Sequence, residues 1–451
     1  MSLSNHPKAY GSVAVAAAFT AGILLTLGFK DVYPDLQRRY DSIRRRRPAS
    51  SSDPRRGSIY LPPVKLEDHT RSARQSTVGL PIPEGIEGCI GNTPLFKIKS
   101  LSEATGCEIL AKAEFLNGAG GSPKDRVALN MIKMAEEEGL LTPGQGDTIY
   151  EGTVGSTGIS LATLARAKGY KAYICMPNDQ STEKSDLLHH LGATVERVTP
   201  APITSTEHFV NLARTRAREH TASGEDESKG FFADQFESLA NFQAHFQTTG
   251  PEIYHQTGGQ AGWLSPPRSV IDAFVAGAGT GGTISGISLY LKQEMGMGSL
   301  KIVLADPEGS GLYNKVKHGV MFSNTEKEGT RRRQQVDTIV EGIGINRLTE
   351  NFEAGRELID DAVKVTDLQA LKMARWLVEK DGIFVGSSSA VNCVAAVAAA
   401  LRMPKGSRVV TILCDSGTRH LSKFWKGVGE QGLEEEHEET DLLGLLGLSE
   451  G

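Results

Sequence analysis

The chain has 451 residues, 39% of them hydrophobic and 23% charged, with a formal net charge of -5 and 50 glycines in short, non-repeating clusters. That composition excludes a collagen-like or disordered chain, and the length allows two or three domains around a large buried core. Five cysteines (Cys89, Cys107, Cys175, Cys393, Cys414) lie far apart with no CxxC pair, which argues against a disulfide framework or structural zinc site and for a reducing compartment.

The chain opens with a short tail, residues 1–12, and then Val13–Phe29, a stretch without a charge. Its length is at the lower end of what spans a bilayer. Residues 30–74 follow with twelve Lys or Arg against six Asp or Glu, including Arg44, Arg45, Arg46 and Arg47. That flank reads either as a solvated linker or as a topology signal for the segment before it. The expectation is an N-terminal membrane anchor at 13–29 and a basic flexible linker at 30–85, rich in Arg, Ser and Pro. The rest of the chain is strongly acidic, which excludes nucleic acid as a partner.

From Gly85 short apolar runs alternate with helical patterns. A helix is predicted from Val127 to about Glu138. Thr148–Tyr150 is strand-like, Ile159–Lys168 helical, Lys171–Met176 a strand, Ser181–Leu191 a helix and Thr194–Val198 a strand. Val270–Ala276 is an apolar run leading into glycines and a helix to about Glu294; Lys301–Ala305 and Arg408–Cys414 are further strands. Such alternation implies an α/β fold with parallel sheets. The polar residues 323–338 read as a surface insertion. Residues 430–439 are acidic, and 441–448 are apolar enough to dock on a partner, although two glycines weaken a helix there.

Several strand–turn–helix junctions carry chemistry. GTGGT (Gly279, Thr280, Gly281, Gly282, Thr283) offers unobstructed amides at a helix N-terminus, where an anion is held. It is neither GxGxxG nor GxxxxGK[ST], and the plain alternative is a tight packing turn. GGSPKDR (Gly120–Arg126) puts Lys124 at the front of a helix, where the dipole disfavours its charge. A lysine that works as a neutral amine uses such a place; the plain alternative is a surface lysine paired with Asp125. EGTVGSTG (Glu151–Gly158) presents amides with the hydroxyls of Thr153, Ser156 and Thr157, suited to a carboxylate or to simple capping. VGSSSAVN (Val385–Asn392) invites the same two readings. ADQFESLANFQAHFQ is mostly core, with Gln235 a polar contact.

With IGNTPLFKI (Ile90–Ile98), EGIG (Glu341–Gly344) and ILCDSGTRHL (Ile412–Leu421), these segments, in this order over about 86–425, resemble the cysteine synthase and cystathionine β-synthase family of fold-type II pyridoxal-phosphate enzymes. The resemblance implies two three-layer αβα domains with the cofactor in the cleft between them. A smaller domain of about 120–235 would be inserted in a larger one, 86–119 and 236–425, followed by an acidic C-terminal tail, 426–451. It implies that Lys124 bears pyridoxal 5'-phosphate as a Schiff base and moves the α-proton. Gly279, Thr280, Gly281, Gly282 and Thr283 would hold the phosphate, Ser388 would bond the pyridine nitrogen, and Ser156 would stand by the 3'-hydroxyl. Thr153, Val154, Gly155 and Thr157, with Gln235, would surround the substrate carboxylate. No metal is implied.

The activity implied is replacement of the acetoxy group of O-acetyl-L-serine by sulfide. Cystathionine β-synthase or serine dehydratase chemistry, or a membrane-tethered cofactor-binding protein with little turnover, are the alternatives. The family usually has serine at Val154 and asparagine at Ser156; valine cannot donate a hydrogen bond, and serine has a shorter reach. Relatives are commonly dimers, which implies a homodimer. Fungal members with an N-terminal anchor imply the mitochondrial outer membrane, single-pass, with the catalytic region facing the cytosol.

Overall fold

The computed structural model describes residues 82–178, 182–223, 227–259, 271–321, 338–433 and 441–448. The expected anchor, nearly all of the basic linker, the 323–338 insertion apart from Thr338, and most of the acidic run 430–439 lie outside these residues. Among the described residues no helix is long and apolar enough to cross a membrane.

Among the described residues ten strands form two sheets. β1 (Leu95–Lys97), β2 (Glu108–Ala113), β7 (Ala273–Gly277), β8 (Lys301–Pro307), β9 (Asp361–Val365) and β10 (Arg408–Leu413) make a six-stranded sheet in the order β1-β2-β10-β7-β8-β9. Only β1 runs antiparallel, pairing Leu95 with Lys112. β3 (Thr148–Gly152), β4 (Lys171–Pro177), β5 (Thr194–Val198) and β6 (Gly230–Phe232) form a parallel sheet in the order β5-β4-β3-β6. The runs were legible because strands covered on both faces are apolar nearly throughout: in β8 every residue after Lys301 is buried. Strands β2, β6 and β9 carry charges or are too short for that signal.

The helices used below are α1 (Lys124–Glu137), α2 (Ser156–Lys168), α3 (Thr182–His190), α4 (Phe209–Ser223), α5 (Gly282–Leu289), α6 (Asp367–Asp381), α7 (Ser387–Ala400) and α8 (Leu442–Leu446). Helix α1 starts three residues before the expected Val127, because Ser122 and Pro123 bring Lys124 into the first turn. The helix expected to reach Glu294 is α-helical only to Leu289 and finishes as a π-helical turn, Tyr290–Glu294. All 14 residues of α7 are buried, and its alanines and serines let it lie close beneath the six-stranded sheet. The apolar run after Asp441 does form a short helix. Asp441 caps it through the Leu443 amide, Leu442 and Leu446 are buried, and Lys372 and Gln369 of α6 take the carbonyls of Leu445 and Leu446 at 3.0 and 2.9 Å. Its apolar face is covered by the chain's own core.

Under α1 lies a buried ionic cluster. Arg126, only 3% exposed, forks onto Glu114 with two bonds of 2.8 Å and onto Glu252 at 2.6 and 2.8 Å. Lys112 meets Glu252 at 2.6 Å and the Thr93 carbonyl at 2.6 Å. Burial alone would raise the Glu114 pKa, but the Arg126 guanidinium brings it down to about 2. The cluster ties β2, α1 and the Gly250–Gln256 helix together, fixing the end of the chain from which Lys124 projects. Arg126→Met should lower the unfolding free energy by about 3–5 kcal/mol, because it leaves a buried carboxylate without its counter-charge. Urea unfolding measures this; an unchanged midpoint would contradict it.

Candidate active site

The loops that follow the carboxyl ends of β3, β6, β7 and β10 converge on one cavity of about 970 Å³. That is where open α/β sheets leave room for a ligand. Lys124, Thr153, Val154, Gly155, Ser156, Thr157, Gln235, Gly279, Thr280, Gly281, Thr283 and Ser388 all line it. Gly282 does not: it sits behind the wall, packed on Asn241.

Lys124 is aimed by its neighbour. The Asp125 carboxylate, fully buried, accepts the amides of Ala119 at 3.2 Å, Gly120 at 2.8 Å and Gly121 at 2.9 Å, and the Ser160 hydroxyl at 2.5 Å. Asp125 is therefore spent on its own loop, and the plain alternative of a surface Lys124–Asp125 pair falls away. Three consecutive donors and a helix start consume the carboxylate, which turns it away from the amine. Burial lowers the Lys124 pKa; negative charge at Cys414 and Asp415 opposes. The Cys414 thiol is itself pushed up to about 11 by burial, so Asp415 is the standing charge near neutrality.

The glycine loop is a cradle. Gly281 adopts φ +88°, and a Cβ there would meet Phe352 Cα at 2.5 Å; neither the backbone nor the space admits a side chain. Amides at the start of α5 have no preceding turn to bond, and Gly279, Thr280, Gly281 and Thr283 line the cavity. Asn241 braces the loop, donating to Thr280 Oγ1 at 2.8 Å and to the Gln235 carbonyl at 2.9 Å. Thr349 bonds the Thr280 carbonyl at 2.7 Å. His245 bridges Thr249 at 2.9 Å and Thr283 at 3.1 Å, and burial depresses its pKa to about 3, so it stays neutral.

Across the cavity, α2 begins at Ser156. Thr157 donates to Gln235 Oε1 at 2.6 Å. Gln235 follows Asp234, whose φ is +52°, and its amide donates to Glu151 Oε2 at 3.2 Å. Val154 reaches the cavity with no polar atom to offer. Ser156 Oγ lies 3.4 Å from Asp415 Oδ2. On the floor, Ser388 is 4% exposed and hydrogen-bonded with Cys414, while Ser387 and Ser389 are occupied by the amides of Glu341 and Cys414.

Sequence reading missed Asn241, His245, Glu151, Asp415 and His420. The first two were findable, since four residues apart on a helix they share a face. Glu151 is fully buried between the amides of Gly152 and Gln235. Burial, helped by Asp234, raises its pKa to about 8 against those hydrogen bonds.

The whole arrangement is that of a pyridoxal-phosphate enzyme, and the chain belongs to the pyridoxal-phosphate dependent enzyme family, whose profile matches residues 86–415. Its fold is fold-type II. Over its full length the chain is 67% identical to cysteine synthase 2 of Neurospora crassa, covering 100% of this chain and 99% of that one. To cysteine synthase 2 of Emericella nidulans it is 60% identical, covering 94% and 95% of the two chains. The solved structure of O-ureido-L-serine synthase superposes with a TM-score of 0.63 at 27% identity, covering 79% of this chain and 98% of that one. The residues present fit the cofactor on two counts: the cradle that a Cβ would fill, and a half-buried lysine lining the same cavity.

Two outcomes follow. Gly281→Ala should weaken retention of the cofactor, read as its release on dialysis, because the backbone must leave φ +88° to clear Phe352. For Glu151, the unfolded chain releases its proton in the ordinary carboxyl range while the folded chain holds it to about 8. Stability should therefore fall as pH rises across that window, and Glu151→Gln should flatten the slope in melting curves.

Proposed function

We propose that this protein is a cysteine synthase, replacing the acetoxy group of O-acetyl-L-serine by sulfide to give L-cysteine and acetate. The observation that carries it is the convergence of the Lys124 amine, the Gly279–Thr283 cradle and the start of α2 on one cavity, in a chain 67% identical throughout to a cysteine synthase. When bound, pyridoxal phosphate supplies the sink for the electron pair left on the substrate's α-carbon.

The chain's own residues do the rest. Lys124, disfavoured as an ammonium by burial, carries the cofactor and, once free, accepts the α-proton at Nζ. Gly279, Thr280, Gly281 and Thr283 receive the phosphate at the start of α5, with Gly282 giving the close packing behind. Ser388 takes the pyridine nitrogen; a hydroxyl there, unlike a carboxylate, does not force that nitrogen to stay protonated, which suits elimination over transamination. Thr153, Val154, Gly155 and Thr157, with Gln235, surround the substrate carboxylate at the start of α2. Ser156 would stand beside the cofactor's hydroxyl.

The catalytic region is 86–425, with a smaller lobe of about 120–235 set into it, and the chain works as a homodimer. A Saccharomyces cerevisiae relative, 54% identical over 78% of this chain, is provisionally named a mitochondrial cysteine synthase. That name and the uncharged Val13–Phe29 stretch support the mitochondrial outer membrane, with a single N-terminal span and the catalytic region in the cytosol.

Borohydride reduction of the loaded full-length protein, followed by peptide mapping, should label Lys124. Lys124→Ala should abolish the visible absorption band and lower cysteine formation by about 10³-fold or more. Label on another lysine would refute the assignment of the amine. Turnover of serine with homocysteine but not of O-acetyl-L-serine with sulfide would refute the substrate.

A further inference from the structure

The turn after β10 holds a carboxylate with no assigned task. Asp415 is 7% exposed and lines the catalytic cavity. Its Oδ2 receives His420 Nε2 at 3.0 Å and lies 3.4 Å from Ser156 Oγ. Its Oδ1 is buried and has no hydrogen-bond partner among the described residues. A carboxylate oxygen left bare in such a place is costly unless something charged or polar meets it during function.

Its surroundings hold it in place. The Gly386 amide donates to the Asp415 carbonyl at 3.0 Å, and the Gly386 Cα is packed so tightly on the Asp415–His420 pair that no side chain fits. The turn therefore lies against the serines at the start of α7. His420 is 6% exposed, and its Nδ1 faces Glu341 Oε2 at 3.6 Å; Glu341 in turn pairs with Lys184 of α3 at 2.9 Å. Arg419, the residue before His420, donates to the carbonyl of Gly120, in the loop that presents Lys124. One turn thus touches the Lys124 loop, the start of α2 and the α7 serines. The charged and titratable groups around Asp415 are His420, Arg419, Lys124, Glu341 and the Cys414 thiol.

We infer that Asp415, clamped by His420, is a positioning residue for the reaction. It stands as the counter-charge to the Lys124 ammonium and holds the Ser156 hydroxyl on the cofactor side of the cavity. The inference rests on Lys124 being the reacting amine. When the substrate Cα–H bond breaks, the electron pair stays on carbon and the proton moves to Lys124 Nζ. The new positive charge is then balanced by a carboxylate that stays ionised and takes no proton itself. Electrostatics agrees: burial opposes ionisation of Asp415, but the His420 hydrogen bond and the nearby cations outweigh it and keep its pKa below the ordinary value. Asp415 in turn raises the Lys124 pKa against burial. Too little of that charge would leave Lys124 a poor proton acceptor, and too much would keep it protonated at rest.

The test reads Lys124 directly. In full-length protein stripped of cofactor, the rate at which trinitrobenzenesulfonate labels Lys124 is followed by peptide mapping at fixed pH. Asp415→Asn removes the charge with little change of shape and should speed labelling severalfold, since the amine is then neutral more of the time. His420→Phe, which strips the donor from Asp415, should shift the rate in the same direction, and His420→Gln, which keeps an N–H, should restore it. The His420 pair keeps the test open where Asp415→Asn does not fold. Equal rates in every folded variant would overturn the inference. Because the labelling needs no turnover, its outcome is separate from the borohydride test, whose failure would instead remove Lys124 as the reacting amine.

Discussion

A carboxylate taken out of water must be given donors, and the site is built around how Asp125 finds them. Its oxygens collect three successive loop amides and the Ser160 hydroxyl, which bends residues 119–123 into a tight turn and makes Lys124 the first residue of a helix. The amine has nowhere to go but the cavity. Ser160 belongs to α2, so the same carboxylate fixes the distance between the lysine and the helix start across from it. Beneath, Arg126 and its two glutamates anchor the other side of the first turn. Two adjacent residues, Asp125 and Arg126, thus hold Lys124 from both sides without touching the chemistry.

The second constraint is backbone space. At Gly281 the chain passes so close to Phe352 that a methyl group would collide, and this closeness lets amides instead of side chains form the wall. Asn241 and Thr349 then bind the loop's polar atoms from behind, so that Thr280 is braced on both its hydroxyl and its carbonyl. The anion site is rigid because its supports are side chains from two distant segments, each with few alternative partners in a buried setting.

Val154 and Ser156 stand where the family resemblance leads one to expect serine and asparagine, and the structure gives them different surroundings. Val154 lines the cavity and brings no side-chain donor to it. Ser156 is short, and its hydroxyl turns toward Asp415. Position 156 is thereby coupled to a residue in the turn after β10.

Much of the architecture was readable from local pattern. Buried parallel strands such as β8 and β4 announce themselves by unbroken apolar runs, and glycine clusters mark the turns where strands feed helices. Those signals are local because burial of both faces and a positive φ are demands made on single residues. β9 and β6 escaped notice, the one because charges interrupt it, the other because it is short. The motifs placed Lys124, the glycine cradle and Ser388 in one chemistry through resemblance alone. What sequence could not decide was who stands next to whom across the cleft. Ser156 and Asp415 are 259 residues apart, Thr349 and Thr280 are 69 apart, and the Asp125 clamp could as well have been a surface ion pair. Partners at such distances are chosen by the packing of whole sheets, since a buried polar atom bonds whichever donor the fold delivers to it. By itself the sequence determined the apolar buried strands, the turns and the family; only the tertiary structure decided which charges the Lys124 amine faces.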